Sequence, residues 1–148
     1  MKPRKIVAFD LGSTMGWASN FKAIPIGHRT FVGTRVQKLA DIEAWLRLLQ
    51  WQGADAVVYE TPLGRGQAAT RILWGIAGLL EATATQAGLG LVDVAVPTIK
   101  KFATGNGMAS KVEMLAAAKK FGYTGADEHE ADAVCLLHYA IANVEFGE

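Results

Sequence analysis

The sequence contains little cysteine and little proline. Its 148 residues include one cysteine, Cys135, and four prolines. A single cysteine excludes a disulfide-stapled scaffold and a zinc site built from several cysteines. Cys135 lies in an apolar run, so we interpret it as a small buried core residue. An ordinary hydrophobic core must therefore hold the chain together.

Long apolar stretches are also missing. The first apolar run, Ile6 to Phe9, ends after four residues at Asp10, which is too short for the core of a signal peptide. No later run is long enough and free enough of charge to cross a bilayer. We therefore expect a cytoplasmic protein that does not associate with membranes.

The chain has almost no net charge, but its charges are unevenly placed. The formal net charge of +1 does not by itself indicate a nucleic-acid-binding protein. Five lysines and a single acid lie between Pro97 and Lys120, whereas four acids lie between Asp127 and Asp132. A protein that holds divalent cations next to a phosphate needs both a basic approach and an acidic pocket.

The length and the 51% of hydrophobic residues predict one domain over residues 1–148. Hydrophobic patterning predicts the order β-β-β-α-β-α-β-α-α, which is an α/β fold with a mixed sheet and helices on both faces. Strands are predicted at 5–10, 15–20, within 21–32, at 54–59 and at 91–96, and helices at 37–50, 68–87, 109–121 and 128–144, with a short helical turn at 98–103. His28 falls in the irregular edge at 21–32, and we interpret it as a solvated residue without a role.

Carboxylates end two of the predicted buried strands. Asp10 precedes a glycine-containing turn, and Glu60 is followed two residues later by Pro62. If the two strands are neighbours, their carboxylates converge at one edge of the sheet. His129 and Asp132 are three residues apart in the first turn of the last helix, so they share a face that can look onto that edge.

These four side chains together would hold Mg²⁺ or Mn²⁺ with mostly oxygen ligands. Two such ions about 3.5–4 Å apart can activate a water and stabilise the leaving oxygen of a phosphodiester. Simpler interpretations remain open, in which the acids cap a turn or favour a helix start and the histidine is a surface residue. The other acids at the helix start are interpreted as solvated: Asp127, Glu128 and Glu130.

Four segments form an ordered set of motifs across nearly the whole chain. They are FDLGSTMGWA at 9–18, VVYE at 57–60, PTIKKFATGNGMASK at 97–111 and EHEADA at 128–133. The third is the most specific, because its proline, lysines and Gly-x-Gly-x-Ala all fall in register. This set resembles the RuvC-type Holliday junction resolvases of the ribonuclease H-like superfamily.

The resemblance implies a ribonuclease H-like five-stranded mixed sheet flanked by helices. It implies an Mg²⁺-dependent endonuclease, with Mn²⁺ as a substitute, that resolves four-way DNA junctions by paired symmetric nicks. It also implies a homodimer in the cytoplasm of a bacterial or phage-infected cell. The residues that it carries over are Asp10, Glu60 and Asp132 as metal ligands, His129 as a fourth ligand or base, Lys111 as a catalytic and DNA-binding residue, and Lys100 as a DNA-binding residue. Lys101 lies in the same matched segment and is also expected to bind DNA. Arg65 lies outside the matched motifs and is a separate candidate for contact with DNA.

One position departs from the family pattern. Many members have a phenylalanine three residues after the catalytic glutamate, placed to stack in the opened junction, and here that position is Leu63. A broader nuclease of forked or flapped DNA is therefore a second hypothesis, and a non-catalytic module that binds branched DNA is a third. Three intact carboxylates argue against the module, since burying unneutralised acids together is costly.

The dimer interface is predicted on the helix at 68–87, where Gly75 and Gly78 permit close packing, with intramolecular packing as the alternative. Two other families share parts of the pattern. Actin-like sugar kinases begin with a similar Asp-x-Gly-(Ser/Thr) motif, but they need two such domains and a nucleotide cleft between them. YqgF-like ribosomal RNA processing nucleases usually lack a glutamate at the end of the fourth strand, so Glu60 argues against them.

Overall fold

A computed structural model describes residues 4–63 and 66–146 of the chain. Over these ranges the strands are β1 (Ile6–Asp10), β2 (Thr14–Ser19), β3 (Gly27–Thr30), β4 (Ala56–Glu60) and β5 (Gly90–Val94). The α-helices are α1 (Arg35–Leu49), α2 (Gln67–Gln86), α3 (Val96–Thr104), α4 (Lys111–Lys120) and α5 (Glu128–Asn143), and a short 3₁₀ turn, Gln50–Gly53, follows α1. None of the helices in these ranges is long and apolar enough to cross a membrane.

Within the described ranges the strands form one mixed sheet in the order β3-β2-β1-β4-β5. β1 pairs antiparallel with β2 and parallel with β4, and β4 pairs parallel with β5. The register of β1 and β4 places Phe9 opposite Tyr59. Asp10 and Glu60, the next residue on each strand, therefore leave the sheet side by side, as the sequence predicted.

Both faces of the central strands are buried, which explains their unbroken apolar sequences. Ala8 and Val58 face a layer formed by α3, α4 and α5, and Val7 and Val57 face a layer formed by α1 and α2. Cys135 on α5 is fully buried in the first of these layers, as predicted. The open end of the sheet between the two layers is where the carboxylates emerge.

Several predicted elements have different limits in the structure. Val96 begins α3 rather than ending a strand, because Pro97 lies in the first turn of the helix, where its missing N–H needs no partner. The helix predicted from residue 109 begins at Lys111, because Ser110 caps it and exchanges hydrogen bonds with Glu113. The edge strand within 21–32 is limited to Gly27–Thr30.

Candidate metal centre and cleft

Three carboxylates converge at the end of the sheet. Asp10 and Glu60 end the neighbouring parallel strands β1 and β4, and Asp132 reaches the same place from the first turns of α5. One ligand oxygen from each lies within 4.8 Å of those of the other two. Asp10 is buried, and Glu60 and Asp132 are half-buried. The structure thus brings together the three acids that the sequence placed at strand and helix ends.

The surroundings of these carboxylates disfavour negative charge. Burial raises the pKa of Asp10 well above its ordinary value, and the charge of Asp132 raises it further. Burial and the charge of Asp10 raise the pKa of Glu60 in the same way. Burial also raises the pKa of Asp132 to about 6, although His129 and Lys100 oppose this effect. A bound cation would remove the repulsion, and three carboxylates are the hard oxygen donors that Mg²⁺ and Mn²⁺ prefer. The donor set therefore fits a divalent cation.

His129 is hydrogen-bonded to one of these acids. Its Nδ1 lies 2.9 Å from Oδ2 of Asp10, and its Nε2 lies 3.5 Å from Oε1 of Glu128. The compact donor set consists of Asp10, Glu60 and Asp132, and His129 stands beside it through Asp10. The ring is about one-third exposed, at 32% of its side-chain surface, so it can be reached from the cleft.

Two features place the first turn of α5 against the sheet. Oδ1 of Asp127 caps the helix by accepting hydrogen bonds from the backbone N–H groups of His129 and Glu130. Gly16 on β2 allows the helix to approach, because any Cβ there would collide with the backbone carbonyl of His129. His129 and Asp132 consequently face the carboxylates of the strands.

A cleft of about 630 Å³ opens over the three carboxylates. Its lining comes from two parts of the chain. One is the segment 61–63 that follows β4, and the other is the segment 107–110 that joins α3 to α4, with Lys111 at the start of α4. Lys100 and Lys111 line it together with the carboxylates. Nζ of Lys111 lies 3.2 Å from Oε1 of Glu128, in a pair that is largely exposed to solvent. The cleft therefore has an acidic floor and basic sides.

Two other residues were predicted to bind DNA, Lys101 and Arg65. Lys101 is an exposed residue of α3, next in sequence to Lys100. Arg65 lies outside the described residues.

The structure gives contacts to residues that the sequence analysis left without a role. Nδ1 of His28, on β3, lies 2.5 Å from Oε2 of Glu130, and its Nε2 lies 3.7 Å from Oδ2 of Asp127. The Tyr123 hydroxyl donates to Oε1 of Glu130 at 2.9 Å and accepts from the Asp127 N–H. The interpretation of Asp127 and Glu130 as solvated acids was wrong. His28 and Glu130 are 102 residues apart, and no local pattern signals their pairing.

No protein-family model matches the chain, and no curated protein matches it in sequence. Two solved structures are similar to it. A Thermus thermophilus RuvC structure is 19% identical, with a TM-score of 0.73 over 93% of each chain. T. thermophilus RuvC in complex with Holliday junction substrate is 18% identical, with a TM-score of 0.77 over 94% of each chain. At this identity the likeness establishes the fold, and it confirms the ribonuclease H-like mixed sheet predicted from the sequence.

Proposed function

We propose that this protein is a divalent-metal-dependent endonuclease that resolves four-way DNA junctions by paired symmetric nicks. The observation that carries the proposal is the convergence of Asp10, Glu60 and Asp132 on the floor of a cleft with lysines at its sides. The same fold in T. thermophilus RuvC, solved with Holliday junction substrate, supports the choice of substrate. The proposed place of action is the cytoplasm of a bacterial or phage-infected cell.

Asp10, Glu60 and Asp132 would hold the metal, and Mg²⁺ is the ion we propose, with Mn²⁺ as a substitute. Two ions bound there would supply an activated water and would stabilise the leaving oxygen. His129 serves as a base or a further ligand. In the tautomer that donates from Nδ1 to Asp10, its Nε2 is left with a lone pair that can take a proton.

Lys111 and Lys100 would bind the DNA backbone at the sides of the cleft. The ion pair between Lys111 and Glu128 is exposed, and such pairs contribute only about 0–1 kcal/mol. The Lys111 ammonium can therefore leave Glu128 for a phosphate. Near the scissile phosphate it also stabilises the charge that develops in the transition state. Lys101 and Arg65 are proposed to extend this backbone contact.

We infer a homodimer, because a four-way junction is nearly two-fold symmetric and two symmetric nicks need two related sites. The exposed face of α2 is the proposed interface. Gly75 packs within the protomer, since a Cβ there would lie 3.0 Å from the Leu39 side chain. A Cβ added at Gly78 would have no other atom within 4 Å. Trp74, one turn earlier, is 53% exposed. Trp74 thus offers a partner an exposed aromatic side chain, and the space beside it at Gly78 is open.

A cleavage assay with end-labelled DNA tests the function. The wild type, Asp10→Asn and the control Asp41→Asn, which changes an exposed acid on α1, are each incubated with Mg²⁺ and a four-way junction, a flapped fork or a linear duplex. We expect paired symmetric nicks in the junction from the wild type and the control, and none from Asp10→Asn, which still binds the junction. Cleavage by Asp10→Asn at the wild-type rate would refute the metal site.

Two other outcomes distinguish the alternatives. Equal cutting of the fork and the junction would favour the broader branched-DNA nuclease, for which the non-aromatic Leu63 in the lining of the cleft is the specific observation. Binding without any cutting in Mg²⁺ or Mn²⁺ would overturn the proposed activity and favour a binding module.

A further inference from the structure

Two exposed apolar side chains stand at the cleft on opposite sides of the sheet. Met108 is 88% exposed and Leu63 is 56% exposed, and both line the cleft over the carboxylates. Leu63 follows β4 and precedes α2, whereas Met108 joins α3 to α4, in the other helical layer. Scattered exposed apolar residues are normal. Two that flank one cleft above a candidate metal centre need an explanation.

The segment that carries Met108 is held in place by local hydrogen bonds. Oδ1 of Asn106 accepts from the Met108 N–H at 3.0 Å, and the Asn106 carbonyl accepts from the Ala109 N–H at 3.1 Å. The Thr104 hydroxyl donates to that carbonyl and accepts from the Asn106 N–H. Ala109 is buried at 2% exposure, and Ser110 caps α4. Met108 is therefore an apolar side chain projected into solvent from an ordered base.

The lysines that line the cleft with Met108 indicate which kind of molecule contacts this side chain. Lys111 lies three residues later and lines the same cleft, and Lys100 lines it from α3. An exposed apolar side chain in a cleft that also carries two lysines suits a polyanion that offers apolar faces, and DNA bases exposed where strands branch have that chemistry. Apolar side chains, methionine and leucine among them, are known to wedge between base steps and unstack them.

We propose that Met108 inserts between bases at the branch point of a DNA junction and thereby determines the preference for branched over linear DNA. This inference rests on the proposed function and deepens it. The inserted Met108 side chain makes no hydrogen bonds to the bases. It therefore responds to how easily the bases unstack and not to which bases they are. It also gives the site a way to engage an opened junction without an aromatic residue at position 63.

The test compares Met108→Gln with Val112→Gln on two junctions. Val112 is also apolar, at 79% exposure, and lies next to Lys111, but it does not line the cleft. One junction is fully paired to its centre, and the other carries unpaired bases at the branch point. We expect Met108→Gln to slow single-turnover cleavage of the paired junction about tenfold, and that of the pre-opened junction less than about twofold, because only the first needs unstacking. Val112→Gln should stay within about twofold of the wild type on both.

A fluorescence measurement of binding tests the insertion of Met108 independently of cleavage. With 2-aminopurine at the branch point and Ca²⁺ in place of Mg²⁺, the fluorescence rise on binding should be lost in Met108→Gln and kept in Val112→Gln. Lys111→Gln should instead weaken binding to both junctions equally and lower its salt dependence, as loss of a phosphate contact does.

Equal rates for Met108→Gln and the wild type on the paired junction would overturn the inference, and so would equal slowing on both junctions. A wild type that cuts no DNA refutes the proposed function instead, and the fluorescence signal then still decides whether Met108 inserts. Because Met108 is exposed, its replacement should leave the melting temperature unchanged.

Discussion

At the scale of single residues, burial and neighbouring negative charge disfavour ionisation of the three carboxylates in the metal-free protein. The pKa of Asp132 is raised from an ordinary 3.8 to about 6, and those of Asp10 and Glu60 are raised as well. Between the ordinary and the raised values, the folded state binds more protons than the unfolded state. The stability of the metal-free protein therefore falls as pH rises through this range.

Asp10→Asn should consequently stabilise the metal-free protein at neutral pH while abolishing cleavage. We expect its melting temperature in a chelator at pH 7.5 to exceed that of the wild type by about 3 °C or more, and the gap to narrow toward pH 4. Mn²⁺ should raise the melting temperature of the wild type and have less effect on the variant. A lower melting temperature for Asp10→Asn in chelator would contradict this account of the site.

The sequence allowed these acids to be predicted, because each stands at a place that local pattern makes visible. Asp10 and Glu60 each end a buried apolar strand, and Asp132 lies one turn into an amphipathic helix. The contact between His28 and Glu130 depends instead on which β3 residue faces the start of α5. That is a matter of tertiary placement, which no short pattern encodes.

At the scale of elements, the first turn of α5 contacts the edge strand β3 through His28. The pKa of this histidine is raised, first by its hydrogen bond to Glu130 and then by the charge of Asp127. A raised folded-state pKa means that the contact stabilises the fold fully below the ordinary value of 6.5 and loses its effect as pH rises through the raised value.

His28→Gln should therefore lower the melting temperature more at pH 6 than at pH 9. The pairing with Glu130 can be isolated by a double-mutant cycle with Glu130→Gln, in which the second substitution should add little to the first at pH 6. Additive losses at pH 6, or a loss that grows with pH, would show that the pair does not tie the helix to the strand.

Element limits were predicted less well than element identities, and for local reasons. The pattern at 91–96 is apolar except for Asp93, so Val96 resembles a strand residue until the Ala95–Val96 backbone turns into α3. The cap at Ser110 needs Glu113 to reach back, which moves the start of α4 two residues beyond the predicted one. Both differences come from backbone groups that must find partners at a helix start.

At the scale of the whole molecule, the proposed pair of nicks requires two protomers. Trp74→Glu places a charge on the exposed face of α2 and should shift the particle mass measured by light scattering from dimer to monomer. Ile141→Glu is the matched control, because Ile141 is 51% exposed on α5, in the opposite helical layer. The Trp74 variant should also nick the two strands of a junction independently. A dimer that survives Trp74→Glu would place the interface elsewhere.

Asp10 lies on the first described strand and Asp132 on the last described helix. This separation along the chain determines when the metal site can form during synthesis. A nascent chain leaving the ribosome has β1 and β4 long before α5, so it holds only two of the three carboxylates. The site becomes complete only once α5 has emerged and folded against the sheet. For the proposed endonuclease, this order would withhold metal binding, and with it cleavage of DNA, until α5 has packed against the sheet.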